Sequence, residues 1–217
     1  MRLTVKIITI IFTMVCTIVN AAEKTSTADT QKKINSAYIY EIIPGAGIGE
    51  IRIGKDYEFV VKIMGEYENK INYDDEEKSW KDSGYNVDVE LPFVIGFDYL
   101  IEYNESNNKT KYPIWKIYFK NDKIAYMTLS SFIYDTVDVN KVGVPPKCNF
   151  GGEKIDVINT LGKDYFEYID ESKYLNLYYL KKGIVVILAH DEIKTMAIFE
   201  PLTNVKKTEY LSKYPEK

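Results

Sequence analysis

The sequence predicts an α+β chain: two tandem copies of a short helix followed by an antiparallel β-meander. Four observations predict it. In Gly54–Gly65 the apolar residues Tyr57, Val60, Val61 and Met64 fall at i, i+3, i+4 and i+7, one face of a helix, with a glycine where such a helix stops. Gly151–Gly162 repeats that spacing, with Val157, Ile158 and Leu161 standing where Val60, Val61 and Met64 stood. Each copy also has a carboxylate in its first turn, Asp56 or Glu153, which suits the positive end of a helix dipole. Behind each helix come alternating apolar segments separated by turn residues, the pattern of consecutive antiparallel strands rather than of βαβ units.

From the N-terminus, residues 1–21 read as an export signal. Arg2 and Lys6 form the charged start, 7–19 the apolar core and Val19-Asn20-Ala21 a small-residue cleavage site. The apolar core is too short for the ~20 residues of a membrane span, so no transmembrane segment is expected after its removal. Cys16 offers an alternative, a lipid anchor, although Val15 precedes it rather than a small residue. Either way the chain is expected outside the cytoplasm, in the periplasm or cell envelope. Losing Arg2 and Lys6 takes the net charge from −4 to −6, which argues against nucleic acid as a partner, since phosphate contacts need clustered lysine and arginine. Cys148 is then the one cysteine left, so the fold is expected without an internal disulfide and with a buried, inert thiol.

Residues 22–36 are polar and read as a disordered tether. The first copy, 37–135, opens with a strand at Tyr38–Ile43, a turn at Pro44–Gly49, and alternation at Ile51 and Ile53 before the helix. An insertion, 66–98, follows, most of it a polar excursion containing Asp74-Asp75-Glu76-Glu77. Strands are expected at Phe93–Phe97, Tyr99–Tyr103, Ile114–Lys120 and Ile124–Leu129, with a loop at Asn104–Pro113 and a tight turn at Asn121-Asp122. The second copy, 136–203, has a helix at Gly152–Leu161 and strands at Tyr174–Leu180, Ile184–Leu188 and Ile193–Phe199. The closing hairpins align without a gap, Ile117 with Val186, Phe119 with Leu188, Asp122 with Asp191 and Met127 with Met196, and Tyr99-Leu100 is matched to Tyr174-Leu175. Residues 204–217 read as a polar tail.

Gly54, Val60, Val61, Met64 and Gly65, and again Gly151, Val157, Ile158, Leu161 and Gly162, give a pattern that resembles the BamE (SmpA/OmlA-like) and beta-lactamase-inhibitor-protein-like exported proteins. The resemblance spans most of 45–200. It implies an exported bacterial protein that binds other proteins, often through a sheet face, without catalytic residues. The chain departs from that group in having Glu66 and Lys163 after the closing glycines, where a proline is usual.

Little in the sequence points to chemistry. Gly45-x-Gly47-x-Gly49 has Glu50 where a dinucleotide fingerprint needs its third glycine, so a tight turn is expected there. His190, the single histidine, aligns with Asn121 in a hairpin turn, and one His with one Cys supplies little for zinc or a triad. Asp74–Glu77 lacks the spacing of a calcium loop and reads as solvated. The sequons at Asn104 and Asn108 matter only in a glycosylating host. No cofactor is therefore expected. The expected function is an exported protein-binding or envelope-accessory module without catalytic activity. The alternatives are a hydrolase using carboxylates in a cleft between the copies, recognisable by a pocket with a perturbed carboxylate, and a small-ligand or lipid carrier. A docking surface is expected on the sheet face opposite Ile117 and Phe119, formed by Tyr103, Tyr118 and Tyr126, since exposed tyrosines bury large area at little rotamer cost.

Overall fold

A computed structural model describes residues 40–103, 114–131 and 142–214; the expected leader, tether, Cys16 and both sequons lie outside them. Among the described residues thirteen strands form two sheets. The first sheet-forming segments are β1 (Tyr40–Ile43), β2 (Gly47–Ile48) and β3 (Ile51–Arg52). Helix α1 (Tyr57–Met64) follows, capped by Asp56, whose carboxylate accepts from the Phe59 N–H at 2.9 Å. It closes at Gly65, where φ is +83°, a conformation glycine adopts without steric cost. Then come β4 (Asn69–Asn72), helices α2 (Tyr73–Asp82) and α3 (Leu91–Ile95), and the meander β5 (Tyr99–Tyr103), β6 (Ile114–Lys120) and β7 (Lys123–Ser130). The second half runs β8 (Val142–Val144), β9 (Cys148–Asn149), α4 (Lys154–Leu161), β10 (Phe166–Ile169), β11 (Leu175–Tyr179), β12 (Ile184–Ala189), β13 (Glu192–Phe199) and α5 (Asn204–Leu211).

The expected class is corrected here. Rather than an α+β chain of two helix-plus-meander copies, the described chain is mostly β, with an eight-stranded sheet ordered β10-β11-β12-β13-β7-β6-β5-β4 and a five-stranded sheet ordered β3-β2-β1-β8-β9. Two pairings make the difference. β7 pairs antiparallel with β13, Met127 opposite Ile198 and Leu129 opposite Met196, so the strands of both halves belong to one sheet. β1 pairs parallel with β8, joining segments that precede the two helices into the second, mixed sheet. Strands of two or three residues carry no readable alternation, which is why the second sheet was not legible.

Local details do correspond between the halves. The residue pairs at the hairpin turns, Asn121-Asp122 and His190-Asp191, all have positive φ. A bulge interrupts the ladder at Tyr118/Phe119 and again at Ile187/Leu188. The Tyr103 hydroxyl donates to the Gly65 carbonyl at 3.0 Å, and Tyr179 to that of Gly162 at 2.9 Å. Register shifts the expected alignment by one residue: Phe119 faces Tyr99 and Leu188 faces Leu175, so Tyr99 corresponds to Leu175, not Tyr174.

Both faces of the large sheet are covered. On one, Trp115, Ile117, Phe119, Val186 and Leu188 are buried, in a core shared with Val60, Val157 and Leu161 of the helices and Ile42, Ile48 and Val142 of the small sheet. The other face packs Leu100, Tyr118, Tyr126, Tyr178 and Phe199 against Leu91 and Phe97 of the insertion and Tyr210 of α5. The insertion is thus no simple excursion, and Phe93–Phe97, expected as a strand, belongs largely to α3 because Pro92 opens a helix at that position. Residues 204–211, expected in a polar tail, form α5, whose Tyr210 hydroxyl donates to the Val89 carbonyl at 3.0 Å. Among the described residues no helix is long and apolar enough to cross a membrane.

Candidate functional site

The second face of the large sheet is not filled completely. Between it and the insertion lies a cavity of about 210 Å³. Strand register lays out its floor. Lys116 stands opposite Thr128 and Tyr118 opposite Tyr126; Ser130 stands opposite Thr195, Thr195 opposite Ile187, and Ile187 opposite Asn176. Because side chains alternate along a strand, these residues all emerge on one face. Trp80 of α2 and Glu90-Leu91-Pro92 at the start of α3 form the walls. The insertion is held in place by polar ties: Tyr85 to Ser172 at 2.9 Å, Lys120 Nζ to the Ile95 carbonyl at 2.8 Å, and Tyr210 and Tyr214, both donating to the Val89 carbonyl at 3.0 Å.

One wall carries a closed charge network. Glu76, 3% exposed, accepts from Trp80 Nε1 at 2.8 Å and from Lys116 Nζ at 3.2 Å, and Lys116 also pairs with Glu102 at 2.9 Å. Burial alone would lower the Lys116 pKa, but the two carboxylates outweigh it and raise it. Glu76 was read from sequence as one of four solvated acids. Its spacing of four from Trp80 was the signal that a helix would bring them together.

Glu90 is different. Its carboxyl makes no hydrogen bond or ion pair among the described residues. Burial, and secondarily the Asp170 carboxylate, push its pKa up to about 7. The sequence signal for it was a lone acid in the apolar run Val89-Glu90-Leu91-Pro92-Phe93, a place where water is scarce.

The expected docking tyrosines are placed otherwise than exposure required. Tyr118 and Tyr126 do meet, edge to face with ring centroids 5.2 Å apart, but they are 1% and 6% exposed beneath the insertion. Tyr103, 9% exposed, lies in the opposite core with its hydroxyl on Gly65. The three form no surface; strand alternation sends Tyr103 to the face of Ile117, opposite to that of Tyr118. Instead Tyr118 and Tyr126 line the cavity, and neither hydroxyl has a partner among the described residues.

Asn176, 4% exposed, donates from Nδ2 to Asp170 Oδ2 at 3.2 Å and to the Tyr174 carbonyl at 3.1 Å. Both partners are acceptors, which fixes the amide orientation and leaves Oδ1 without a donor. The site therefore gathers four unused polar groups: two phenol hydroxyls, one amide oxygen and one carboxyl.

Other candidates are weaker. A wider cleft of about 680 Å³ runs between α3, the β6–β7 turn and α5, but its lining lysines Lys120, Lys123, Lys206 and Lys213 and carboxylates Glu200 and Glu209 are all exposed. Gly45 and Gly49, at φ +73° and +56°, flank β2 in tight turns. His190 is exposed in its hairpin turn. Cys148 is fully buried in the other core, and burial pushes its thiol up to about 12, so it is not a nucleophile at neutral pH. Among the described residues no three His, Cys, Asp or Glu side chains gather to hold a metal. No protein-family model, curated protein or solved structure matches the chain.

Proposed function

We propose that this chain is an exported envelope-accessory module that binds without catalysing, and that its ligand enters the cavity between the insertion and the large sheet. The observation that carries the reading is the convergence of Tyr118, Tyr126 and Asn176, all buried and all with unused hydrogen-bonding capacity, on one cavity. The volume, about 210 Å³, lies below the ~300–1,000 Å³ of sites for drug-sized ligands. It suits a small solute or one side chain presented by a partner protein. The likeness of the helix–glycine pattern to the BamE and beta-lactamase-inhibitor-like group supports a binding role and export.

The hydrolase reading has one observation in its favour, the raised carboxyl of Glu90. Acid–base work needs a second group in reach of the same substrate. The cavity's hydroxyl pair, Ser130 and Thr195, bond each other at 2.9 Å, and its lysine is taken by two carboxylates, so binding is the better supported reading. The test is ligand-observed NMR with a mixture of small amines, acids and alcohols, using the wild type and Thr128→Met, which adds volume at the cavity floor. Saturable binding that the substitution abolishes, with melting unchanged, supports the reading. Binding indifferent to Thr128→Met, or turnover of a solute that Glu90→Gln stops, overturns it.

A further inference from the structure

The chemistry of the ligand can be read from what the cavity lacks, taking the binding reading as its basis. Its unused groups are acceptors or can act as such: the Glu90 carboxyl, Asn176 Oδ1 and the hydroxyl oxygens of Tyr118 and Tyr126. The carboxylate and the amide oxygen only accept, while the hydroxyls both accept and donate, so N–H groups on a ligand can serve all four. Charge points the same way. Among the described residues Lys116 is the one basic residue lining the cavity, and its ammonium is already shared by Glu76 and Glu102, so adding Glu90 leaves the site net negative. The walls are aromatic, with Trp80, Tyr118, Tyr126 and Tyr178 presenting rings, and ring faces attract cations most strongly where water is excluded. An anion would meet repulsion there, and a neutral apolar molecule would leave every one of these groups unbonded.

We propose that the cavity takes the ammonium head of a primary amine, either a free small amine or the lysine side chain of a partner protein. Its N–H groups donate to Glu90, Asn176 Oδ1 and a tyrosine hydroxyl, while the aromatic residues line its sides. Binding is then pH-dependent through Glu90. The groups facing it are Asp170 at the end of β10, Lys116 with Glu76 and Glu102, and the hydroxyls of Tyr118, Tyr126, Tyr168, Tyr178, Tyr210 and Tyr214. Burial holds all six tyrosines above their ordinary value, so they stay protonated throughout. Lys116 stays charged.

The experiment is an NMR titration of the whole mature chain read at the Trp80 indole N–H, with the buried Trp115 as internal reference. The probes are butylammonium, butanol and butyrate, together with a short peptide containing one internal lysine. Butylammonium is expected to bind saturably at pH 8, about tenfold more weakly at pH 6, and about tenfold more weakly in Glu90→Gln, the loss of one charge-assisted hydrogen bond. Glu90→Asp restores part of the affinity if the charge is what matters. Stronger binding of the peptide than of butylammonium assigns the site to a partner's lysine, the reverse to a free amine. Equal binding of butanol, or an unchanged Glu90→Gln, overturns the ammonium assignment while leaving a binding cavity. No response to any of the probes overturns both.

Discussion

At the residue scale the cavity and the core make opposite demands on the same side-chain type. Tyr103 and Tyr179 each close a hydrogen bond onto a helix-terminating glycine, whereas the Tyr118 hydroxyl has no such bond. Replacing Tyr103 or Tyr179 by Phe is therefore expected to cost ~1 kcal/mol. Tyr118→Phe is expected to cost nothing in the ligand-free chain, because its hydroxyl makes no bond to protein among the described residues. Denaturant midpoints of the three variants decide this, and a loss at Tyr118 equal to that at Tyr103 would show that its hydroxyl is bonded. Glu90 gives a second check. Below its ordinary value of 4.5 both folded and unfolded chains hold the proton; between there and about 7 only the folded chain does. Stability therefore falls as pH rises through that window, by at most ~1.4 kcal/mol per unit, and levels off above it. Glu90→Gln should remove that slope, and a variant whose stability follows the wild type from pH 4.5 to 7 would place the raised group elsewhere. The burial of Tyr118 and Tyr126 is not legible in sequence, since it depends on what covers the sheet face, whereas the apolar run around Glu90 does mark it.

At the scale of elements the helices and long strands were legible and their cover was not. Both glycine-terminated helices, and the hairpin strands from Ile114 and Ile184 onward, show their period within their own residues. The bulges, by contrast, are fixed by pairing. α2 has a highly charged sequence with only two aromatic rings, Tyr73 and Trp80, at its two ends, and so reads as loop. α5 hides in the same way: Asn204–Leu211 looks polar, yet Tyr210 is 1% exposed and reaches Val89 across the sheet face. Tyr210→Ala is expected to cost ~3–5 kcal/mol, the range for losing a buried aromatic, and to raise binding of an apolar dye as the insertion loosens. A loss within about 0.5 kcal/mol would mean that α5 is an ornament on the surface.

At the scale of the whole molecule the sheet's two-sided burial is what makes a site possible. An antiparallel sheet commonly leaves one face to water. Here β13 is buried along nearly its whole length, because the insertion and α5 roof the face that the helices and small sheet do not. From sequence that face is expected to be open to solvent, and the docking tyrosines with it. The β7–β13 pairing that merges the halves also puts Thr128, Ser130 and Thr195 side by side under the roof, so the floor of the cavity exists only in the assembled sheet. The central claim is that this cavity, with its unmatched acceptors, is where the molecule binds. The most direct measurement is a crystal structure grown with a high concentration of butylammonium. The account predicts the amine beneath the insertion, its nitrogen within hydrogen-bond distance of Glu90 and Asn176 Oδ1 and its chain against Trp80 and Tyr118. A cavity closed by protein atoms, with Tyr118, Tyr126 and Asn176 Oδ1 bonded to protein groups and the amine bound elsewhere or not at all, would contradict it.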